Sequence, residues 1–234
     1  MNNLIKQVSD GVWVAAVWLS EWDTYMNCYL IRNEEGYCLI DTASKEQRKD
    51  IINLFSSINL DISEIHTVIA SHWHPDHTGN IGIFENARKF IHRNDIGMIE
   101  EDEQHNYEIF EGESGVLNDF QWRLLGIHTP GSIGLYHKGS KTYFAGDVIC
   151  LFDTPLPEDG LISRAECLRE KSIDFIKSGE YSKGLRKKML EPQNYIDIMK
   201  ALTAYDIDYL CTGHGVVLKE QISDFLNQLA DSLT

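Results

Sequence analysis

The stretch Ser71-His72-Trp73-His74-Pro75-Asp76-His77-Thr78-Gly79-Asn80 sets three histidines and a carboxylate within six positions, from His72 to His77. It follows Thr67-Val68-Ile69-Ala70, a short apolar and partly β-branched run that reads as a buried strand. The polar cluster therefore falls where a strand ends. In extended backbone, residues i and i+2 face the same way, so His72 and His74 converge on one point. Pro75 steers His74 away from helical geometry and keeps that face intact. Asp76 and His77 then open a turn and face a second point. A single histidine at a strand end is ordinarily a satisfied polar residue. Four such groups together are different, because packed without a cation they would repel, desolvate or stay unpaired. Imidazole and carboxylate are the ligands a borderline divalent metal takes.

Three later positions repeat the arrangement of an apolar run ending in a ligand-type residue. His128 lies in Gly126-Ile127-His128-Thr129-Pro130-Gly131, Asp147 in Tyr143-Phe144-Ala145-Gly146-Asp147, and His214 in Cys211-Thr212-Gly213-His214-Gly215. Taken alone, each reads as an ordinary turn or cap residue. The glycines beside His214 permit close backbone approach and unusual φ.

Taken in order, His-x-His-x-Asp-His, His-Thr-Pro-Gly, Phe-x-Gly-Asp and Gly-His-Gly, with Leu39-Ile40-Asp41-Thr42 ahead of them, resemble the motif series of the metallo-β-lactamase superfamily. That family includes glyoxalase II-like and lactonase-like hydrolases. The resemblance implies a mixed α+β fold, a four-layer αβ/βα sandwich of two central mixed sheets flanked by helices. It implies two divalent ions, zinc in the first instance, with iron or manganese as alternatives. His72, His74 and His128 would hold one ion, Asp76, His77 and His214 the other, and Asp147 would bridge them. The implied chemistry is hydrolysis, with a metal-bound hydroxide attacking an ester, thioester or lactone carbonyl and Asp76 taking a proton. One departure stands out. The family often continues its third motif to a second histidine, whereas Ser132 follows Gly131 here. A shortened turn with an altered pocket wall is expected.

Composition narrows the partners. Lys and Arg total 21 against 36 Asp and Glu, a net charge of −15, the opposite of a nucleic-acid footprint. No apolar run reaches the 18 residues of a membrane helix, and the first residues lack a signal-peptide core. The five cysteines are odd in number and scattered, which argues against a disulfide framework and for a reducing cytoplasm. Cys150 is the one to watch, three residues past Asp147. A small-molecule substrate is expected, with no nucleic-acid or membrane partner, and a homodimer is an assembly the sequence allows.

The whole chain, 1–234, reads as one domain. Strands are expected at 12–19, 25–32, 37–41, 67–70, 89–91, 121–127, 134–138, 142–145 and 209–212, with 62–71 leading into the histidine cluster. Helices are expected at 44–57, 94–103, 164–178, 193–204 and 219–233, and residues 104–119 read as an acidic connector. Residues 149–193 form a segment expected to cover the site, where Phe152, Leu156, Phe175 and Tyr181 would line it and Tyr181 would donate a hydrogen bond to a developing oxyanion. Trp18, Trp22, Tyr25 and Trp73 are expected near its mouth. Other readings of the same residues are a mononuclear iron persulfide dioxygenase-like oxidoreductase, a phosphodiesterase and a non-catalytic metal-stabilised binding module. The full second ligand set argues against the first, the acidic balance against the second, and the absence of thiolates from the ligand set against the third.

Overall fold

The computed structural model describes residues 2–151, 156–178 and 192–233. Among the described residues, fourteen strands form two seven-stranded sheets. The first contains β1 (Leu4–Ser9), β2 (Val12–Leu19), β3 (Thr24–Asn33), β4 (Gly36–Ile40), β5 (Ile65–Ile69), β6 (Arg88–His92) and β7 (Tyr107–Phe110), side by side in chain order. The second contains β8 (Ser114–Leu117), β9 (Phe120–Leu124), β10 (Ile133–His137), β11 (Thr142–Gly146), β12 (Ile162–Ser163), β13 (Tyr209–Thr212) and β14 (Val217–Lys219), in the order β12-β14-β13-β11-β10-β9-β8. Both sheets are mixed: β1 to β4 pair antiparallel and β4 to β7 parallel, while β11 pairs parallel with β13.

The helices are α1 (Arg48–Ser57), α2 (Pro75–Thr78), α3 (Arg93–Ile96), α4 (Glu166–Lys177), α5 (Pro192–Leu202) and α6 (Ile222–Asp231). Strand β3 shows how the layers arise. Its residues alternate faces, and both faces are apolar. Tyr25, Tyr29 and Ile31 enter a core between the sheets, against Phe120, Phe144 and Cys211. Met26, Cys28 and Leu30 face the other way, into a core with Ile51, Leu54 and Phe55 of α1. A third core packs Tyr143 and Leu210 of the second sheet against Leu168, Met199 and Phe225 of α4, α5 and α6. Helix, sheet, sheet and helix thus stack as four layers, and the fold expectation stands. The driving force is burial of apolar area on both faces of both sheets, worth about 25 cal/mol per Å².

Several local expectations need correction. A strand, β1, precedes residues 12–19, because Leu4 to Ser9 pairs along β2 as an edge. The connector at 104–119 holds β7 and β8, which end the two sheets. Each is a four-residue edge strand, β7 with one exposed charge at Glu108 and β8 half exposed, so neither shows the apolar pattern of a buried strand. The helix expected at 94–103 shrinks to α3. Strand β9 stops at Leu124, so His128 lies in a turn four residues beyond it. Two short strands, β12 and β14, were not legible at all. The cysteines are free thiols, with Cys28, Cys38 and Cys211 buried. Among the described residues no helix is long and apolar enough to cross a membrane.

Parallel pairing places the motifs. Ile40 pairs with Ile69, so Asp41 and Ser71 leave adjacent strands at the same end. Gly146 pairs with Thr212, so Asp147 and His214 do likewise in the other sheet. Side chains gather beyond the carboxyl ends of strands, where loops leave a sheet free to build a site.

Candidate metal centre

The structure brings all seven ligand-type residues named from the sequence to one place. His72, His74, His128 and Asp147 form one group and Asp76, His77, Asp147 and His214 another, each with ligand atoms within 4.8 Å of one another. Asp147 belongs to both. His74 Nδ1 lies 3.0 Å from His72 Nε2 and 2.9 Å from His128 Nε2. His214 Nε2 lies 3.1 Å from Asp76 Oδ2.

Local sequence explains the first stretch. His74 is extended (ψ 145°) and caps α2, with Pro75 in its first turn. His72 and His74 therefore meet, while Asp76 and His77 turn on a helical step toward the second group. Asp41, which the sequence marked only as part of a lead-in motif, organises the rest. It adopts a left-handed φ of 61°, a strained conformation for a residue with a side chain. Its Oδ1 accepts the backbone N–H of Ser71 at 2.7 Å and its Oδ2 accepts the Ser71 hydroxyl at 2.8 Å. Having donated its proton to Asp41, the Ser71 hydroxyl receives the Nδ1–H of His72 at 3.0 Å. His77 Nδ1 contacts Asp41 Oδ2 at 2.8 Å. One carboxylate thus fixes the ring orientation of two imidazoles and turns both Nε2 atoms inward, the usual task of an outer carboxylate beside a metal-binding histidine.

The second half relies on backbone shape. A Cβ at position 213 would lie 2.0 Å from Asp147 Oδ1, so only glycine lets that carboxylate reach the centre. Gly215 has a φ of 89°, which glycine alone adopts freely. Asn27 of β3 spans the sheets, donating its side-chain N–H groups to the carbonyls of Thr212 (3.1 Å) and Gly215 (2.9 Å). Tyr29 donates its hydroxyl proton to the Thr212 carbonyl at 2.7 Å. The His128 turn closes without the family's second histidine: the Ser132 hydroxyl donates to the Thr129 carbonyl at 3.0 Å, and Ile133 N–H donates to the Ser71 carbonyl at 2.9 Å.

The electrostatics call for positive charge at the centre. Burial works against ionisation of Asp147, yet His77 and His214 hold it well below the usual carboxylate range. Burial likewise opposes the charge on Asp76, and hydrogen bonding to His214 and His77 holds it low. Burial lowers His72, with His77 beside it adding to the effect, so this imidazole stays neutral and keeps a lone pair. His74 is lowered by burial too. His77 runs the other way, because Asp147 and Asp41 outweigh burial and raise it well above the ordinary imidazole range. His77 Nε2 and Asp147 Oδ1 are buried 3.2 Å apart with no well-formed hydrogen bond to either. Two ionised carboxylates, inward-turned imidazoles and unsatisfied buried ligand atoms are the donor set of a divalent cation, so these residues fit the ions the family implies.

Of the four aromatic residues expected at the mouth, two touch the centre. The Trp22 ring lies 5.6 Å from that of His214 and the Trp73 ring 4.6 Å from that of His74. Tyr25 is instead buried in the core between the sheets, with Trp18 packed edge-on against it. Leu156 packs against the core, and Phe175 stands exposed on α4. Phe152 and Tyr181 lie outside the described residues. The Cys150 thiol points at the Asp147 carbonyl at 3.4 Å.

Comparison with known proteins agrees with the fold. The sequence profile of the metallo-beta-lactamase superfamily matches residues 23–214, and the chain belongs to that superfamily. Curated relatives include an N-acyl homoserine lactonase of Bacillus sp., 25% identical over 158 residues, covering 54% of this chain and 62% of the lactonase. A probable metallo-hydrolase of Methanocaldococcus jannaschii is 30% identical over 102 residues, covering 43% of this chain and 46% of the relative. Among solved structures, a flavoprotein of Thermotoga maritima superposes with a TM-score of 0.75 at 18% identity, over 97% of this chain and 60% of that one. A chemotaxis sensor, ODP, solved as a peroxy diiron species, superposes with a TM-score of 0.67 at 20% identity, over 97% of this chain and 94% of the sensor. This chain therefore spans about three fifths of the lactonase and of the flavoprotein.

Proposed function

We propose that the chain is a metal-dependent hydrolase that opens an ester, thioester or lactone carbonyl of a small molecule at a two-ion centre. The observation that carries this reading is the pair of ligand groups sharing Asp147, three histidines on one side and two histidines with a second carboxylate on the other. When bound, a pair of divalent ions polarises a carbonyl and brings the pKa of water from about 16 toward about 7. The chain's own residues set the stage. Asp41 fixes the ring orientation of His72 and His77. Asp76, 14% exposed along its side chain, is the second carboxylate of the centre and takes the proton-accepting role that the family resemblance implies. Trp22 beside His214 and Trp73 beside His74 offer apolar surface at each ligand group, matching a substrate with an apolar portion. The lactonase relatives support this substrate class.

A second reading is oxygen chemistry at two iron ions. Its support is that the chain covers nearly all of the sensor solved as a peroxy diiron species, and that imidazole and carboxylate suit iron as well as zinc. Elemental analysis of the purified chain, together with a screen of lactones and p-nitrophenyl esters, decides between them. Two zinc ions with chelator-sensitive turnover support the hydrolase. Two iron ions with an oxygen-dependent absorption change and no turnover overturn it in favour of the second reading. A chain that binds no metal overturns both.

A further inference from the structure

Besides Asp41, a second buried carboxylate near the centre belongs to neither ligand group. Asp95, in α3, has no exposed surface. Its Oδ2 accepts the backbone N–H of Trp73 at 3.1 Å and the hydroxyl of Thr129 at 2.6 Å, and its Oδ1 accepts the backbone N–H of Gly131 at 2.6 Å. Trp73 lies between His72 and His74, and Thr129 follows His128. The two oxygens therefore tie together two chain segments, 54 residues apart at His74 and His128, that carry the three histidines of one group. No sheet ladder joins these segments there, since one lies past the end of β5 and the other past the end of β9. Glycine at 131 is part of the device: a Cβ there would lie 2.6 Å from the Asp95 carboxyl carbon. A carboxylate fully removed from water is costly unless donors surround it, and here three do. None of those donors belongs to Asp76, His77 or His214.

We propose that Asp95 is a positioning residue for the three-histidine half of the centre, setting the spacing of His74 and His128 while leaving the other half alone. This rests on the two-ion reading above. The test is a Co²⁺ titration of the purified, metal-stripped chain, with bound ions counted by native mass spectrometry. The variants are Asp95→Asn, which turns one acceptor into a donor facing other donors, and Thr129→Val, which removes a single hydrogen bond. Leu229→Ala, buried in α6 on the far side of the second sheet, is the control for general destabilisation. The wild type should bind two Co²⁺. In Asp95→Asn one site should weaken by about 10- to 100-fold with the other unchanged, the usual consequence of losing an outer-shell partner. Thr129→Val should move the same site less, and it carries the test if Asp95→Asn does not fold. Leu229→Ala should keep both ions. Combining Asp95→Asn with His128→Ala should weaken binding no further than His128→Ala alone, because both act on one ion. Two ions bound at wild-type affinity in Asp95→Asn, or the same loss in Leu229→Ala, overturns the proposal while leaving the two-ion reading intact. A wild-type chain that binds no Co²⁺ overturns both.

Discussion

The two halves of the molecule reach the same centre by different means. The first half supplies His72, His74, Asp76 and His77 from one loop and steers two of them through the hydrogen bonds of Asp41. The second half supplies His128, Asp147 and His214 from three separate loops and places them by backbone shape, with Gly213 making room for the Asp147 carboxylate. A run of ligands close in sequence needs side-chain bonds to keep its rings from turning. Ligands on distant loops are placed by the backbone, through sheet register, the room left by Gly213 and side-chain bonds to neighbouring backbone groups from Asp95, Asn27 and Tyr29.

The difference can be broken at named points. His128→Ala removes a whole ligand from the second half and should produce the largest effect, abolishing activity and costing at least one ion, as read by elemental analysis. Full activity with both ions retained would show that His128 is not a ligand. Gly213→Ala should come next. Its methyl would press on Asp147, and a shift of about 1 Å at a reacting centre costs on the order of 100-fold in rate. If the variant keeps its ions and its rate, backbone shape is not what holds the second half.

Asp41→Asn tests the first half. It keeps the side chain's shape but weakens the bonds that orient His72 and His77, so metal affinity should fall by about 10- to 100-fold. An unchanged titration would mean that the imidazoles hold their orientation without Asp41. The smallest effect belongs to Tyr29→Phe, which deletes one hydrogen bond to the Thr212 carbonyl and should lower stability by about 1 kcal/mol in a denaturant melt. Ion content should not change, because Asn27 still donates to the Thr212 and Gly215 carbonyls on either side of His214.

The first half was also the more legible. Four ligand-type residues in six positions announce themselves, because such a cluster has no comfortable apolar alternative. The three ligands of the second half were found through the order of their motifs, since His128, Asp147 and His214 each look like turn residues alone. Strands β7 and β8 are hard to read because each is four residues long and lies at a sheet edge, where little burial leaves little apolar pattern. Asp41, Asp95 and Asn27 left almost no mark, for their roles depend on what they face across the fold.

The amino-acid sequence by itself determined the ligand types, the mixed α and β character and the acidic surface, because these follow from local spacing and composition. The family resemblance implied the two ligand groups sharing Asp147, but only the tertiary structure brings those atoms together and shows Asp41 bonded toward His72 and His77, and Asp95 bonded to the turns beside His74 and His128. Those facts rest on strand register and on contacts between segments far apart in the chain, and local spacing carries no information about either.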